Sequence, residues 1–280
     1  MGEARAAVPR LTFDPISGQV GLALVRAKSR FSPLARDYFA RLDAAGIRIR
    51  AADSANAYLI DALNDLGALD DGTVNAMAGY LFPGSTLIPL VDGMDAGTDA
   101  GENAWVAGDW NVKTGCKGDA AGKAWDSHRS GAAEPRNDSV VGIYVTEANT
   151  SADRYFGASL TDLMNRRGGT DPADVTVRCR ENGTRAIGIG EPTTGYRALG
   201  RESAAQFYVY SDGSRHTDNR DSVEPNDISY WFFAGNPEEI SASYGDSRMS
   251  LYHIGRSTVH VPETVDAIVT EWMSQLNAAL

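Results

Sequence analysis

Aromatic side chains set among Gly, Asp and Asn are the residues of this sequence best suited to binding chemistry at a surface. Trp105, Tyr155 and Tyr196 stand in such surroundings. Proteins bind sugars by stacking an apolar ring face on an aromatic side chain while polar groups hydrogen-bond the hydroxyls. We therefore predict a carbohydrate-binding site on loops, with Trp105 and Tyr196 as the main stacking rings. Tyr155, His216 and Asn219 complete the predicted set.

Burial in the core is the alternative role for each of these rings. Tryptophan is highly buried on average, and large side chains fill the core of a β-sandwich. For Trp110 and Trp125 we favour this structural role. Trp105 and Tyr196 are flanked by polar residues and glycine, so we expect them at the surface.

The residues that carry out catalysis in known enzymes do not occur here at a matching spacing. Glycosidases built on jelly rolls place carboxylates at alternate strand positions, so that two face each other across a cleft. Glu238 and Glu239 are adjacent, which puts them on opposite faces of an extended chain. The histidines lack paired metal-ligand spacing, and they are predicted in loops (His128 and His216) and in strands (His253 and His260). We predict no catalytic residue and a protein that is not an enzyme.

Two Gly-rich stretches resemble ligand-binding loops only in part. The stretch Gly118–Lys123 is one residue short of a phosphate-binding loop, and the Ala124 that comes next lacks the hydroxyl that binds magnesium. The other stretch has carboxylates that could hold a hard cation such as calcium: Asp92, Asp95, Asp99 and Glu102. Their spacing does not fit the EF-hand loop. We favour an acidic loop without metal and predict no cofactor, with calcium as the alternative.

The charge balance disfavours two classes of partner. The 280 residues include 37 acidic and 26 basic side chains, for a formal net charge of −11. Nucleic acids and anionic membrane surfaces both bind clustered Lys and Arg, and the basic residues here are scattered. No apolar run approaches the ~20 residues that a membrane span needs. We predict neither nucleic-acid nor membrane binding.

The cysteines and the N-terminus indicate where the chain is made. Cys116 and Cys179 are too few for a disulfide framework, and we favour two reduced, buried thiols over a single bridge. The first residues lack the apolar segment and cleavage site of a secretory signal. We therefore expect synthesis in the cytoplasm.

The N-terminal part reads as an extended arm (1–35) and then a helical segment (36–75). Within the arm, residues 21–25 favour a short strand. Ser32 is a predicted N-cap of the first helix, Gly46 ends that helix, and Gly67 ends a second one. Two short amphipathic helices cannot bury their apolar stripes alone, so they must pack on each other or on the later part of the chain.

Residues 76–280 are predicted to form one jelly-roll domain. Short β-branched and aromatic runs alternate with turn residues, and the clearest strands are 140–145, 175–179, 207–210, 228–234 and 249–254. Asp212-Gly213 is a tight-turn signal. No helical pattern intervenes, which favours a mainly β, antiparallel jelly-roll sandwich. Pro262 begins a closing helix with one apolar face that must pack on this domain.

Several stretches in chain order resemble one family: 80–84, 88–91, 114–123, 137–145, 233–236 and 251–255. Over about residues 36–280 the chain resembles the concanavalin A-like (laminin-G-like) jelly-roll proteins of tailed bacteriophages. In that family a short helical segment precedes the sandwich and a final helix closes it. The resemblance implies a structural protein of the virion, as a tail-tip, fibre or head-decoration component.

The resemblance and the residues together lead to one expected function. We expect a multi-copy or homo-oligomeric protein on the exterior of the virion that contacts host-surface polysaccharide without cleaving it. The arm (1–35) is expected to contact other virion proteins by strand addition or by ordering on contact. Two alternatives remain open, a purely structural decoration and a glycan-cleaving capsule depolymerase or lyase on the same fold.

Overall fold

A computed structural model gives a mainly β protein with three α-helices in the residues that it describes, which are 9–13, 20–24, 30–150, 154–159, 162–166, 174–183, 185–188, 194–238 and 243–280. The helices are α1 (Pro33–Ala44), α2 (Asp53–Asp65) and α3 (Pro262–Ala279). The strands are β1 (Pro9–Phe13), β2 (Val20–Leu24), β3 (Gly72–Ala76), β4 (Thr98–Asp99), β5 (Trp110–Asn111), β6 (Gly115–Lys117), β7 (Trp125–Ser130), β8 (Ser139–Glu147), β9 (Arg154–Ser159), β10 (Asp162–Arg166), β11 (Asp174–Cys179), β12 (Arg185–Gly188), β13 (Gly195–Arg201), β14 (Gln206–Ser211), β15 (Ser214–Asn219), β16 (Ser229–Phe232) and β17 (Arg248–Gly255).

Two antiparallel sheets form the body of the protein. The inner sheet has eight strands, in the order β15-β14-β13-β8-β17-β6-β5 with β3 also paired to β17. The outer sheet has seven strands, in the order β12-β11-β10-β9-β16-β7-β4. Strands β1 and β2 pair with each other in a separate two-stranded sheet. The predicted antiparallel sandwich is confirmed.

The apolar side chains form two cores, which define three layers. One core joins the helices to one face of the inner sheet and includes Tyr38, Leu251 and Trp272. The other lies between the two sheets and includes Trp125 and Phe232. The inner sheet is therefore covered on both faces. No described helix belongs to the second core, so the helical layer packs on the inner sheet alone.

The helices begin and end where their sequences predict. The Ser32 hydroxyl accepts a hydrogen bond from the Ala35 N–H at 3.1 Å, which caps α1. Gly46 and Gly67 come after α1 and α2 with φ values of +72° and +81°, a conformation that glycine adopts without a Cβ clash. Helix α3 buries one apolar stripe, at about 2 kcal/mol for each large side chain: Val265, Ile268, Val269, Trp272, Met273 and Leu276.

The domain boundaries proposed from the sequence fall inside elements. Helix α1 begins at Pro33, two residues before the predicted end of the arm. Strand β3 pairs with β17, so the end of the predicted helical segment belongs to the inner sheet. Most of the arm lies outside the described residues. None of the helices described is long and apolar enough to cross a membrane.

Candidate functional site

An open groove lies at the β7 end of the outer sheet, with a volume of about 400 Å³. Its lining comes from β7 and the turn that follows it, from the start of β16 and the residues just before it, and from the loops that hold Asp95 and Glu238. The polar side chains that line it are those of Asp95, His128, Arg129, Ser130, Asp227, Ser229 and Glu238. We call this feature the β7 groove. Carboxylates, hydroxyls, a guanidinium and an imidazole together can donate and accept hydrogen bonds.

A bulge in β7 turns side chains into this groove. Ser229 of β16 pairs with Ser130 of β7, whereas Trp231, two residues further on, pairs with Asp126, four residues away on β7. The extra residues of β7 are accommodated by His128, whose φ is +56°. A non-glycine residue in this region is strained, and such strain is concentrated at binding and catalytic sites.

Local hydrogen bonds hold the bulge. The Asp126 carboxylate accepts from the His128 N–H at 2.8 Å. The Ser127 hydroxyl donates to the Tyr230 carbonyl at 2.9 Å, which ties the bulge to β16. The His128 side chain is half-exposed, and its Nε2 lies 2.6 Å from the Thr98 hydroxyl. The backbone of the bulge is thus fixed while the imidazole stays accessible.

The groove has an acidic lining. Arg129 is engaged by Glu134, with 2.7 Å between Nε and Oε1, and its Nη1 lies 3.8 Å from Asp95. Glu134 is buried, and burial raises the pKa of its carboxyl even with Arg129 beside it. Since Glu134 takes up the charge of Arg129, Asp227 and Glu238 give the groove an excess of acceptors for hydroxyl or ammonium donors.

Trp231 stands beside the groove on the outer face of the outer sheet. Its neighbours along β16, Tyr230 and Phe232, point into the core between the sheets, so Trp231 points the other way. The residue is partly exposed, but its Nε1 is buried and has no hydrogen-bond partner among the described residues. This ring was missed at the sequence level because 228–234 reads as a core strand. The alternation of β16 is the signal that places Trp231 opposite its neighbours.

The three aromatic residues predicted to stack on sugars are buried, which corrects that prediction. Trp105 is 5% exposed and stacks on Trp125 with ring centroids 5.1 Å apart. Tyr196 is 2% exposed and stacks on His253, and Tyr155 is fully buried. A sugar cannot reach a ring whose faces are covered, so these rings belong to the core. Trp125 is a core residue as predicted.

Trp110, predicted to be a core residue, is only partly buried. It packs against Tyr80 and Phe82 at the edge of the inner sheet. Its Nε1 donates to the Tyr80 carbonyl at 2.8 Å, so the polar end of the ring is already satisfied within the chain. Trp110 therefore packs at the edge of the core. It does not line the β7 groove.

His216 and Asn219 lie on β15, at the edge of the inner sheet. His216 is partly exposed and Asn219 is exposed, and the Asn219 side chain accepts a hydrogen bond from Gln206 at 3.0 Å. The structure does not bring them together with the buried aromatics, and the β7 groove is on the other sheet. Their role in glycan binding stays a prediction. The loop position predicted for His216, and likewise for His128, is wrong, because both are strand residues.

The candidate calcium ligands do not converge. Asp99 accepts a hydrogen bond from the Trp105 N–H at 3.2 Å, whereas Asp95 lines the groove. Across the described part of the chain, no group of three or more His, Cys, Asp or Glu side chains is arranged to hold a metal ion. Cys116 and Cys179 are both free and buried, which confirms the predicted reduced thiols.

The loop that resembles a phosphate-binding loop is closed by its own side chain. The Asp119 carboxylate accepts hydrogen bonds from the N–H groups of Ala121, Gly122 and Lys123, between 2.9 and 3.1 Å. Burial raises the pKa of Asp119, but the bonds from Asn103 and from these N–H groups outweigh it and lower the pKa to about 2. The anion site of this loop is therefore already filled.

The most strongly perturbed histidines are buried beneath the helical layer and do not line the groove. His253 of β17 stacks between Tyr196 and His260, and the two imidazole Nδ1 atoms are 3.0 Å apart. Burial and the neighbouring His260 lower the pKa of His253 well below its usual value. Burial likewise lowers the pKa of His260 to about 4. His260 precedes α3 in a loop, which corrects its predicted place in a strand.

Comparison with known proteins gives limited similarity. A scan against models of protein families finds no match, and neither does a search of curated proteins. Among solved structures, a mutant of HCR/D overlaps with a TM-score of 0.48 and 8% identity, covering 73% of this chain and 53% of that one. Domain 4 of AbnA, a GH43 extracellular arabinanase from Geobacillus stearothermophilus in complex with arabinotriose, overlaps with a TM-score of 0.45 and 13% identity, covering 69% of this chain and 99% of that one.

A mutant of Trypanosoma rangeli sialidase displaying trans-sialidase activity overlaps with a TM-score of 0.44 and 12% identity, covering 77% of this chain and 38% of that one. This chain spans about half the length of the HCR/D structure. With TM-scores below 0.5, none of these similarities says what this chain binds.

Proposed function

We propose that this protein binds glycan without cleaving it, on the exterior of a phage virion, and that the β7 groove holds the glycan. The observation that carries the proposal is the strained His128 bulge, which presents polar groups in an open groove on the sheet that the helices do not cover. Strained backbone persists only where the surrounding structure holds it, and it clusters at ligand sites.

The chemistry of the groove fits a carbohydrate. Asp227 and Glu238 accept hydrogen bonds from hydroxyls, Ser229 both donates and accepts, and His128 adds a further polar contact. Trp231, two residues from Ser229 on β16, offers an aromatic ring at the side of the groove. Hydroxyl-rich ligands need this combination of several hydrogen bonds and one apolar face.

Of the groups with shifted pKa values, Glu134 is buried and engaged by Arg129, and the two buried histidines are out of reach of a glycan in the groove. Catalytic acids and bases have pKa values tuned by burial and by neighbouring charge, within reach of the substrate. The buried pair of His253 and His260 has strongly lowered pKa values, but it is sealed between the inner sheet and the helical layer. A glycan in the β7 groove cannot touch it.

The virion setting rests on the resemblance of residues 36–280 to jelly-roll proteins of tailed phages. It implies a multi-copy protein whose N-terminal arm contacts other virion proteins and whose sandwich faces outward. Deletion of residues 1–30 is expected to leave a folded domain that no longer joins particles, as shown by circular dichroism and by electrophoresis of purified particles. An unfolded truncated protein would mean that the arm is part of the core.

A binding and cleavage assay on host-surface polysaccharide tests the proposed function. Wild type is expected to bind the polysaccharide without changing its chain length in size-exclusion chromatography. His128→Ala and Trp231→Ala are each expected to weaken binding by about tenfold, or about 1.4 kcal/mol. Glu238→Gln is expected to weaken it as well, whereas Glu271→Gln on the exposed face of α3 serves as the matched carboxylate control and leaves it unchanged.

The outcomes separate the candidate functions. Shortened chains would favour the glycan-cleaving depolymerase or lyase. Groove variants that bind as tightly as the wild type would overturn the assignment of the site. A wild type that binds no host polysaccharide would leave structural decoration of the particle as the function.

A further inference from the structure

The edge of the inner sheet formed by β15 is the longest open sheet edge among the described strands. β15 has six residues and ends the inner sheet, with β14 as its one described neighbour. The other edge strands of the two main sheets are shorter: β3 has five residues, β12 has four, and β4 and β5 have two each. An open edge exposes unpaired N–H and C=O groups that can pair with another strand.

The turn before β15 determines which backbone groups point outward. Asp212 and Gly213 both have positive φ, +52° and +73°, as in a two-residue type I′ hairpin closed by the pair Ser211 and Ser214. In such a hairpin the closing pair exchanges both hydrogen bonds, and every second pair does the same. His216 and Asp218 therefore bond to β14. The backbone groups of the alternate residues point to the open edge: Arg215, Thr217 and Asn219.

Two copies of β15 can pair antiparallel in a symmetric register that uses the outward backbone groups of both strands. A two-fold axis normal to the sheet and passing beside Thr217 places Thr217 opposite its copy and Arg215 opposite Asn219. Each of these three pairs exchanges two backbone hydrogen bonds, about six in all. Because such an axis keeps the faces of the sheet, each side chain meets one on its own face.

The side chains are complementary in this register. His216 lies opposite Asp218 on both sides of the axis, and opposite polar pairs across two strands are stabilising. Moving the axis to His216 would place two histidines opposite each other and use fewer backbone bonds. No like charges face each other when the axis passes Thr217.

A charged side chain on an edge strand can keep other strands away. On β15 the guanidinium of Arg215 is turned away from the open edge. Arg215 lies over the Tyr208 ring at 4.3 Å and binds Glu263 and Glu202 of its own chain, at 3.0 and 2.8 Å. Its guanidinium is thus held over the sheet, on the side of the helical layer. An edge arginine held in this way does not block the approach of another strand.

We propose that β15 is a homodimer edge, through which two copies join their inner sheets about a two-fold axis beside Thr217. Both helical layers then lie on one side of the joined sheet and both β7 grooves on the other. Where the proposed function holds, the dimer presents two glycan sites in the same direction and gains affinity by avidity. A pairing of this length is small for a stable interface, so the dimer is expected to be reversible and concentration-dependent.

Cysteine cross-linking tests the register directly. Opposite residues of a hydrogen-bonded antiparallel pair have Cα atoms about 5.5 Å apart, within the range of a disulfide. Thr217→Cys is expected to give a disulfide-linked dimer under mild oxidation. Asn219→Cys is the matched control on the same exposed edge, and the two copies of residue 219 are expected about 14 Å apart, too far to bond. The native Cys116 and Cys179 are buried and do not compete.

A second variant tests the edge without a cross-link. Thr217→Pro removes an N–H that β14 does not use, so the monomer should keep its fold while the dimer is lost in sedimentation velocity. A monomeric wild type at several hundred micromolar, equal cross-linking of both cysteine variants, or a dimer that survives Thr217→Pro would each overturn the proposal. Glycan binding by a monomeric wild type would overturn the dimer alone, and an intact dimer without glycan binding would overturn the proposed function alone.

Discussion

The buried pair of His253 and His260 predicts that the protein loses stability in mild acid. In the folded protein, burial lowers the pKa of His260 from 6.5 to about 4. In the unfolded chain the imidazole is solvated again, so the unfolded state binds more protons at any pH between these two values. The free energy of unfolding therefore falls as the pH falls from about 6.5 to about 4.

The size of the effect comes from the pKa difference. The interval from 6.5 to about 4 is about 2.5 pH units, which at about 1.36 kcal/mol per unit gives about 3 kcal/mol for His260. The lowered pKa of His253 acts in the same direction. The contact between the two Nδ1 atoms, 3.0 Å apart, needs one donor and one acceptor, so it cannot persist with both rings protonated.

Urea unfolding between pH 4.5 and pH 7 measures this loss. His260→Gln cannot take up a proton, so its free energy of unfolding should vary less with pH than that of the wild type. The carboxylates are common to both proteins and cancel in the difference. His128→Gln, which changes a half-exposed histidine, should keep the slope of the wild type. A full slope in His260→Gln, or a wild type without a slope in this range, would show that the buried His260 does not cause the loss of stability in acid.

Three further substitutions test the packing. Trp272 is a fully buried residue of α3, so Trp272→Ala should lower the free energy of unfolding by about 3–5 kcal/mol in urea titrations. A loss below about 1 kcal/mol would mean that α3 does not dock as described. Trp105→Ala should be destabilising by a similar amount while the folded protein keeps its affinity for glycan; lost affinity at an unchanged melting temperature would restore Trp105 as a binding ring. Asp119→Ala should cost about 1–2 kcal/mol at pH 7 because three N–H groups lose their acceptor, and the difference from wild type should shrink as the pH falls from 3.8 towards 2. An unchanged melting temperature of Asp119→Ala at pH 7 would show that water replaces the carboxylate.

Local patterns were sufficient to predict helix α3, which is buried on one face, and strands β8 and β17, which are buried on both faces. The apolar stripe of α3 has the period of a helix, and the predicted strands at 140–145 and 249–254 lie within β8 and β17. These segments fill the two cores, so their sequences record their burial directly. The caps at Ser32 and Gly46 are equally local, because a hydroxyl and a positive φ act within one turn.

The site could not be predicted in the same way, because it depends on contacts between distant segments. Trp105 has polar neighbours in sequence, yet its ring is covered by Trp125 of β7. β7 has five polar residues among its six and shows no apolar period, so it reads as a loop. It is a strand because Trp125 and Ser127 point into the core and the other side chains face the open side of the sheet. The bulge at His128 arises from the register with β16, which the sequence alone does not specify.

Amide hydrogen exchange with oligosaccharides from the host surface is the most direct test of glycan binding in the β7 groove. We expect added protection in the segments 125–130 and 227–232, which form the groove, and an unchanged length of the oligosaccharides after incubation. Protection confined to other parts of the chain, or oligosaccharides that become shorter, would contradict a non-catalytic glycan site in this groove.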